Sequence, residues 1–354
     1  MVQSLFRVAY AAALMVVLAG SAESPATLRR AAEKTHLLIG AAVRPSLFSE
    51  AAYSATLARE FNMIEPEDAM KWWVVRREPG FDFREGDQVV QFAEAHGMKV
   101  RGHCLVWDHD NPRWLTDGHF TAGQLSDLLH EHIRTEMKHY GEKVFAWDVV
   151  NEALDEKGNA KDSIWYNAPG IGMSGKGTAY VEQAFRWAHE AEPHALLFYN
   201  EAKAEGLNVK SDAVYTMIKD FKQRGVPIDG VGLQMHITPE FDTGALSRNI
   251  DRLSNLGIQV HITELDVSLP VGPNGIASDQ GLELQAEVYR RVLQACLSHP
   301  GCTAFQTWGF TDKWSWIGSH SHGVRGAALL FDRSYRPKAA YEALLAELRS
   351  SPRS

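Results

Sequence analysis

The chain has 354 residues, 45% of them hydrophobic and 23% charged, with a formal net charge of −8. That is the composition of a globular protein with room for a sizeable core. It carries no basic stripe of the kind that follows a phosphate backbone, so nucleic acid is excluded as the expected partner. The length suits two average domains or one large α/β barrel.

At the N-terminus, Arg7 precedes the apolar run "VAYAAALMVVLAG", and "SAES" follows with small residues. Charge, a short apolar core and a small-residue exit read as a secretory leader over residues 1–22, cleaved near Ala22. The alternative is a buried N-terminal helix. The run is short for a membrane span, and the chain is expected to be secreted, extracellular or periplasmic, with no membrane attachment once the leader is gone. Export permits a disulfide. Cys296 and Cys302 flank the turn-like "LSHPG" and are the expected pair, the alternative being two thiols. So small a loop contributes roughly 2 kcal/mol in the chain-entropy picture. Cys104 lies in an apolar strand and is expected to be inert.

Strand-like and helix-like stretches then alternate. The strands are "LLIGAAV", "FNMIEPE", "KVRGHCLVW", "VFAWDVVNE", "ALLFYNE", "DGVGLQMHI", "QVHITELDV" and "TAFQTWGF". Among the amphipathic stretches between them are "GDQVVQFAEAHG", "TAGQLSDLLHEHIRTEMKHYG", "GTAYVEQAFRWAHEAE", "DAVYTMIKDFKQRG" and "ALSRNIDRLSNLG", several stopping on glycine. The last, "PKAAYEALLAELRS", opens on a proline. Alternating β and α elements imply a parallel sheet, and eight units imply a single-domain (β/α)8 barrel over residues 23–354. A doubly wound open sheet is the alternative, but it should carry a glycine-rich phosphate loop after its first strand, and "GAAVRPSLF" is not one. One long insertion, "DEKGNAKDSIWYNAPGIGMSGKG", follows the fourth strand, on the face where barrels hold their chemistry.

Polar residues gather where the strands stop: Glu65, Glu67, Asp68 and Lys71; Arg101, His103, Trp107 and Asp108; Asn151 and Glu152; Asn200 and Glu201; Gln234 and His236; Glu264 and Asp266; Trp308 and Trp316. In a barrel these ends share one mouth. Carboxylates, amides, a lysine and tryptophans converging there describe a carbohydrate site. Glu152 and Glu264, three strands apart, are the best pair for opening a glycosidic bond. Glu152 ends an apolar strand, so desolvation is expected to raise its carboxyl pKa as a general acid requires. Asn151 is positioned to hold a sugar hydroxyl. Taken singly, His103 and His236 are better explained as core histidines bonded to backbone. No HxH-like pair is present, so no metal is expected.

In order along the chain, "EPEDAMKW", "RGHCLVW", "WDVVNEA", "DGVGLQMH", "ITELDV" and "TWGFTDKWSW" resemble the motifs of glycoside hydrolase family 10, the endo-β-1,4-xylanases. The resemblance runs from about Ala41 to "LLFDRSYRPKAAYEAL". It implies a retaining double displacement on xylan or xylo-oligosaccharides, with Glu152 as acid/base, Glu264 as nucleophile and no cofactor. It implies that Glu67, Asp68, Lys71, His103, Trp107, Asp108, Asn151, Gln234, Trp308 and Trp316 line the sugar subsites. His236 would hydrogen-bond Glu264, with Asp266 behind its ring. Asp68, Asp108, Asp110 and Ala202 depart from the family pattern, where asparagine, histidine, glutamine and tyrosine are usual. Those departures leave open a related activity on other β-linked glycans or glycosides. A non-catalytic sugar-binding barrel is a further alternative, against which the presence of both glutamates argues. The chain is expected to act as a monomer.

Overall fold

The computed structural model describes residues 26–350. The expected leader, residues 1–22, lies outside them. Eight parallel strands form the frame: β1 Leu38–Val43, β2 Met63–Pro66, β3 Lys99–Val106, β4 Val144–Asn151, β5 Leu196–Glu201, β6 Gly230–Leu233, β7 Gln259–Val267 and β8 Cys302–Thr307. Each pairs with the next, β6 aligning Gly230 with Gln259 of β7. β8 pairs with both β7 and β1, Leu38 lying opposite Ala304, and this closes the sheet into a barrel. The strands are buried almost without interruption, the pattern required when helices cover one face and the barrel interior fills the other.

One long helix follows each strand: Ala51–Glu60, Arg84–His96, Ala122–Tyr140, Ala179–Ala191, Val209–Gln223, Thr243–Ser254, Asp279–Leu297 and Ala339–Ser350. Local chemistry fixes several of their ends. Thr121 and Gln124 form a reciprocal capping box, as do Asn208 and Ser211. Gly97 ends the second helix at φ +59°, a left-handed conformation glycine reaches without a Cβ clash. The final helix starts at Ala339 and not at Pro337, because Pro337 is engaged in a bridge to Phe331.

Two expected strands are shorter than their apolar patterns. β6 stops at Leu233, and only His236–Ile237 resumes pairing with β7. Between them Met235 takes φ +69° and its N–H bonds Glu205 Oε1 at 3.0 Å in place of a neighbouring strand. β8 ends at Thr307, ahead of Trp308 and Gly309 (φ +85°). The insertion after β4 is anchored: Trp165 is buried and donates its indole N–H to the Trp107 carbonyl at 2.9 Å. Cys296 and Cys302 are joined by a disulfide with Cα atoms 5.2 Å apart, and Cys104 is buried and unpaired. Among the described residues, no helix is long and apolar enough to cross a membrane.

Gly102 of β3 lies opposite Trp147 of β4, and a Cβ there would come within 2.3 Å of the indole ring. Trp147 is fully buried, so the ring has nowhere to retreat. Gly102→Ala should destabilise the barrel by about 1–3 kcal/mol, read as a lower midpoint in urea unfolding. An unchanged midpoint would mean that the two strands part freely here.

Candidate active site

The mouth of the barrel is assembled from strand ends. Glu264 is the sixth residue of β7 and is buried; Glu152 is the residue after β4 and half-buried. Glu152 has φ +55°, unusual for a residue with a side chain, and its N–H bonds the Asn200 carbonyl of β5 at 2.9 Å. The chain beyond it is pinned as well. Ala153 N–H donates to the Tyr199 hydroxyl at 3.1 Å and Leu154 N–H to Glu201 Oε2 at 3.3 Å. Backbone held in a sparsely populated conformation by its surroundings is a frequent property of functional positions.

Three amides tie the two glutamates together. Asn200 Nδ2 donates to Glu264 Oε1 at 2.7 Å and to Asn151 Oδ1 at 2.9 Å. Gln234 Nε2 donates to the same Asn151 oxygen at 3.2 Å and to Glu152 Oε1 at 3.0 Å. The relay runs Glu264, Asn200, Asn151, Gln234, Glu152, across β7, β5, β4 and the end of β6. On the other oxygen of Glu264, His236 Nε2 lies 3.0 Å away, while His236 Nδ1 is 2.9 Å from Asp266 Oδ2. Trp316 Nε1 donates to that Asp266 oxygen at 2.8 Å. Burial works against charge on His236, but the Asp266 carboxylate, with Glu264 beside it, holds its pKa well above the ordinary imidazole value. The charged form is therefore favoured, and its support of Glu264 is lost as pH rises through that raised value.

Glu152 departs from expectation. Burial alone would raise its pKa, but the Gln234 amide and the Lys161 ammonium outweigh burial and hold the carboxyl below its usual range. Lys161 comes from the insertion after β4. Its Nζ lies 3.3 Å from Glu152 Oε2 and 3.1 Å from Asp108 Oδ2. Sequence reasoning missed it, since a lysine in a glycine-rich loop carries no signal of its own. Asn200 was visible at a strand end but had no assigned role.

The remaining candidates form one wall. Glu67 pairs with Arg44 at 2.7 Å. Lys71 is buried, with its ammonium 4.7 Å from the centre of the Trp107 ring and 5.9 Å from that of Trp308. Trp308 stands edge-on to His103 and to His236, at 5.4 and 6.4 Å between ring centres. The aspartates are not uncompensated charges. Asp68 and Asp110 flank the Lys71 ammonium at 3.2 and 3.5 Å, and Asp108 is committed to Lys161. Neither Lys71 nor Arg101 neutralises Asp108.

Below the mouth, Arg101 is fully buried. Its guanidinium pairs with Asp148, lies 3.1 Å from Glu65 and donates to His261 Nδ1 at 2.8 Å. Burial and Arg101 push the His261 pKa well down, keeping the ring a neutral acceptor. His103 Nδ1 lies 2.9 Å from Asp148. Glu65, His103 and Asp148 are close enough to offer a cation three donors, but Arg101 already supplies the positive charge to both carboxylates.

A parallel eight-stranded barrel with two glutamates held across its mouth by amides, a histidine behind one of them and indoles along one wall is the architecture of a glycoside hydrolase. The family model for glycosyl hydrolase family 10 matches residues 27–347, and the chain belongs to that family. It is 40% identical over 330 residues to the endo-1,4-beta-xylanase B of Thermotoga neapolitana, covering 92% of each chain. It is 37% identical over 321 residues to a beta-1,4-xylanase of Dictyoglomus thermophilum, covering 87% of each. The crystal structure of xylanase 10B from Thermotoga petrophila in complex with xylobiose superposes with a TM-score of 0.88 at 39% identity, covering 94% of this chain and 99% of that one.

The relay leaves no room beside Asn200. A Cβ on Gly232 of β6 would lie 2.1 Å from Asn200 Oδ1. Gly232→Ala should displace Asn200 and with it Glu264, lowering kcat on the best substrate about 100-fold, the scale of a 1 Å misplacement. Steady-state kinetics on the purified variant measures it, and unchanged turnover would show that Asn200 does not fix Glu264.

Proposed function

We propose that the protein is a secreted endo-1,4-β-xylanase that cleaves internal bonds of xylan with retention of configuration. The observation that carries the reading is the amide relay between Glu152 and Glu264, because a protein that only binds sugar has no need to fix two carboxylates against each other. The xylanase activity named for the similar proteins supports the substrate. The leader-like N-terminus supports export, and the Cys296–Cys302 disulfide is consistent with it.

Glu264 attacks the anomeric carbon as the bond to the leaving oxygen breaks and Glu152 gives that oxygen its proton. A glycosyl ester forms on Glu264. Glu152, now a carboxylate, takes a proton from water as the water oxygen attacks the same carbon, and Glu264 departs. Two displacements at one carbon retain its configuration. His236, charged and braced by Asp266, stabilises Glu264 as the attacking and departing carboxylate. Lys71, His103, Trp107, Trp308 and Trp316 form the wall against which the sugar rings would lie. Glu67 and Asn151 would offer hydrogen bonds to sugar hydroxyls there, and Asp68 would act through Lys71. No step calls for a cofactor, and the chain is taken to work as a monomer.

A second reading is a shifted preference among β-linked glycans on this same machinery. Two carboxylates hold the Lys71 ammonium, Asp68 and Asp110, which reduces its freedom to meet a sugar hydroxyl. Reducing-sugar release from xylan, cellulose and aryl glycosides separates the two readings. Xylan should be the best substrate, and proton NMR should detect the β-anomer first. Early α-anomer would overturn retention.

Glu264→Ala should abolish turnover on every substrate. Glu152→Ala should lower kcat on xylan by about 10²–10⁴, yet spare the first step on an activated aryl glycoside, whose leaving group needs no proton. Equal losses for both variants on the activated substrate would refute the roles. His236→Ala should lower kcat about 10- to 100-fold with little change in KM; a raised KM at unchanged kcat would make His236 a sugar contact.

A further inference from the structure

Both oxygens of Glu152 are engaged within the protein, Oε1 by Gln234 and Oε2 by Lys161. A carboxyl so placed is held as an anion, whereas the first displacement needs it protonated, with one oxygen turned to the leaving group. Lys161 must therefore yield. It has a second partner at hand, since Asp108 Oδ2 is the nearer of its two carboxylates and Asp108 Oδ1 is buried with no hydrogen-bond partner. The three side chains are 10–27% exposed, dry enough that solvent does not screen the pairings away.

We propose that Lys161 and Asp108 are positioning residues that set the protonation of Glu152: Lys161 is shared between the two carboxylates while Glu152 is ionised and passes to Asp108 when Glu152 takes up a proton. Lys161 keeps its charge and all its protons throughout. The proton Glu152 gains comes from solvent, leaves on the departing oxygen and is regained from the attacking water. The inference rests on the acid/base reading of Glu152.

The ionic surroundings favour this arrangement. Burial lowers the Lys161 pKa, but Glu152 and Asp108 together outweigh it, so Lys161 stays a cation. The other groups facing Glu152 are accounted for by element. From β4 and the end of β6 come the neutral amides of Asn151 and Gln234, and across the mouth on β7 lies Glu264, bonded to Asn200 and His236. Glu201 of β5 is pushed up to about 7 by burial, against the pull of Lys210 at 2.7 Å. Exposed His109 lies 3.7 Å from Asp108, and the buried Tyr180 hydroxyl also faces the Asp108 charge.

The signs of the two perturbations are opposite. Removing the Lys161 cation raises the Glu152 pKa. Removing the Asp108 anion lowers it twice over, by deleting a like charge and by leaving Lys161 wholly to Glu152. The basic limb of kcat/KM on xylan reports the acid of the free enzyme. Lys161→Met should move that limb upward by on the order of one pH unit, Asp108→Asn should move it downward, and Lys161→Arg should stay near the parent. All of these variants are made in a common His109→Asn background, which removes the imidazole beside Asp108. On 2,4-dinitrophenyl β-xylobioside, whose leaving oxygen needs no proton, the basic limb of kcat/KM should not shift between the parent and Lys161→Met. A purely structural part for Lys161 would lower rates without moving the limb. A stationary limb, or shifts of the same sign in the Met and Asn variants, would overturn the proposal. Failure of the parent to hydrolyse xylan, or product of inverted configuration, would instead overturn the functional reading beneath it.

Discussion

The mouth of this barrel depends on one atom more than on any other, the side-chain oxygen of Asn151. It accepts Asn200 on one side and Gln234 on the other, and each of those amides spends its hydrogen-bonding nitrogen on a glutamate as well. Two carboxylates on separate strands thereby share a single frame. Their negative charges would otherwise push the strand ends apart, with little solvent to screen the repulsion. Neutral amides can bridge them because each nitrogen has two protons to give and needs no counter-charge.

Beneath this frame the barrel carries a second polar layer with a different logic. Arg101 satisfies Asp148 and Glu65 and leans on a neutral His261, while His103 links the layer upward through its edge contact with Trp308. Charges so deeply buried are costly unless fully paired. Breaking one pair would leave a charge directly under the aromatic wall. Arg101, Asp148, Glu65 and His261 therefore support the site from below.

Much of this was legible in the sequence. The eight strand segments, their order and the clustering of polar residues at their ends follow from alternation and apolar runs, and the pairing of Cys296 with Cys302 from their closeness along the chain. His236 between Glu264 and Asp266 was legible through the family motifs. What sequence could not supply were distances between residues far apart along the chain. Asn200 could be seen as polar, but not that its amide spans Glu264 and Asn151. β6 looked continuous through "DGVGLQMHI" because periodicity registers apolar character and not the break that Met235 makes to reach Glu205.

The aspartates make the same point about charge. Read alone, Asp68, Asp108 and Asp110 replace neutral or basic residues and suggest an excess of negative charge at the sugar site. In the folded chain they divide between two lysines, Asp68 and Asp110 on Lys71, Asp108 on Lys161. An aspartate beside Glu152 would by itself raise its pKa; the Gln234 amide and the lysine that accompanies the aspartate hold it down instead. The effect of a departure from a family pattern is thus decided by its partner. For Asp108 that partner arrives on the insertion after β4, the segment of the chain whose sequence says least about chemistry. The Trp165 anchor on the Trp107 carbonyl fixes the insertion to the very strand end that presents Asp108. One loop thereby delivers the cation and keeps it within reach of both carboxylates.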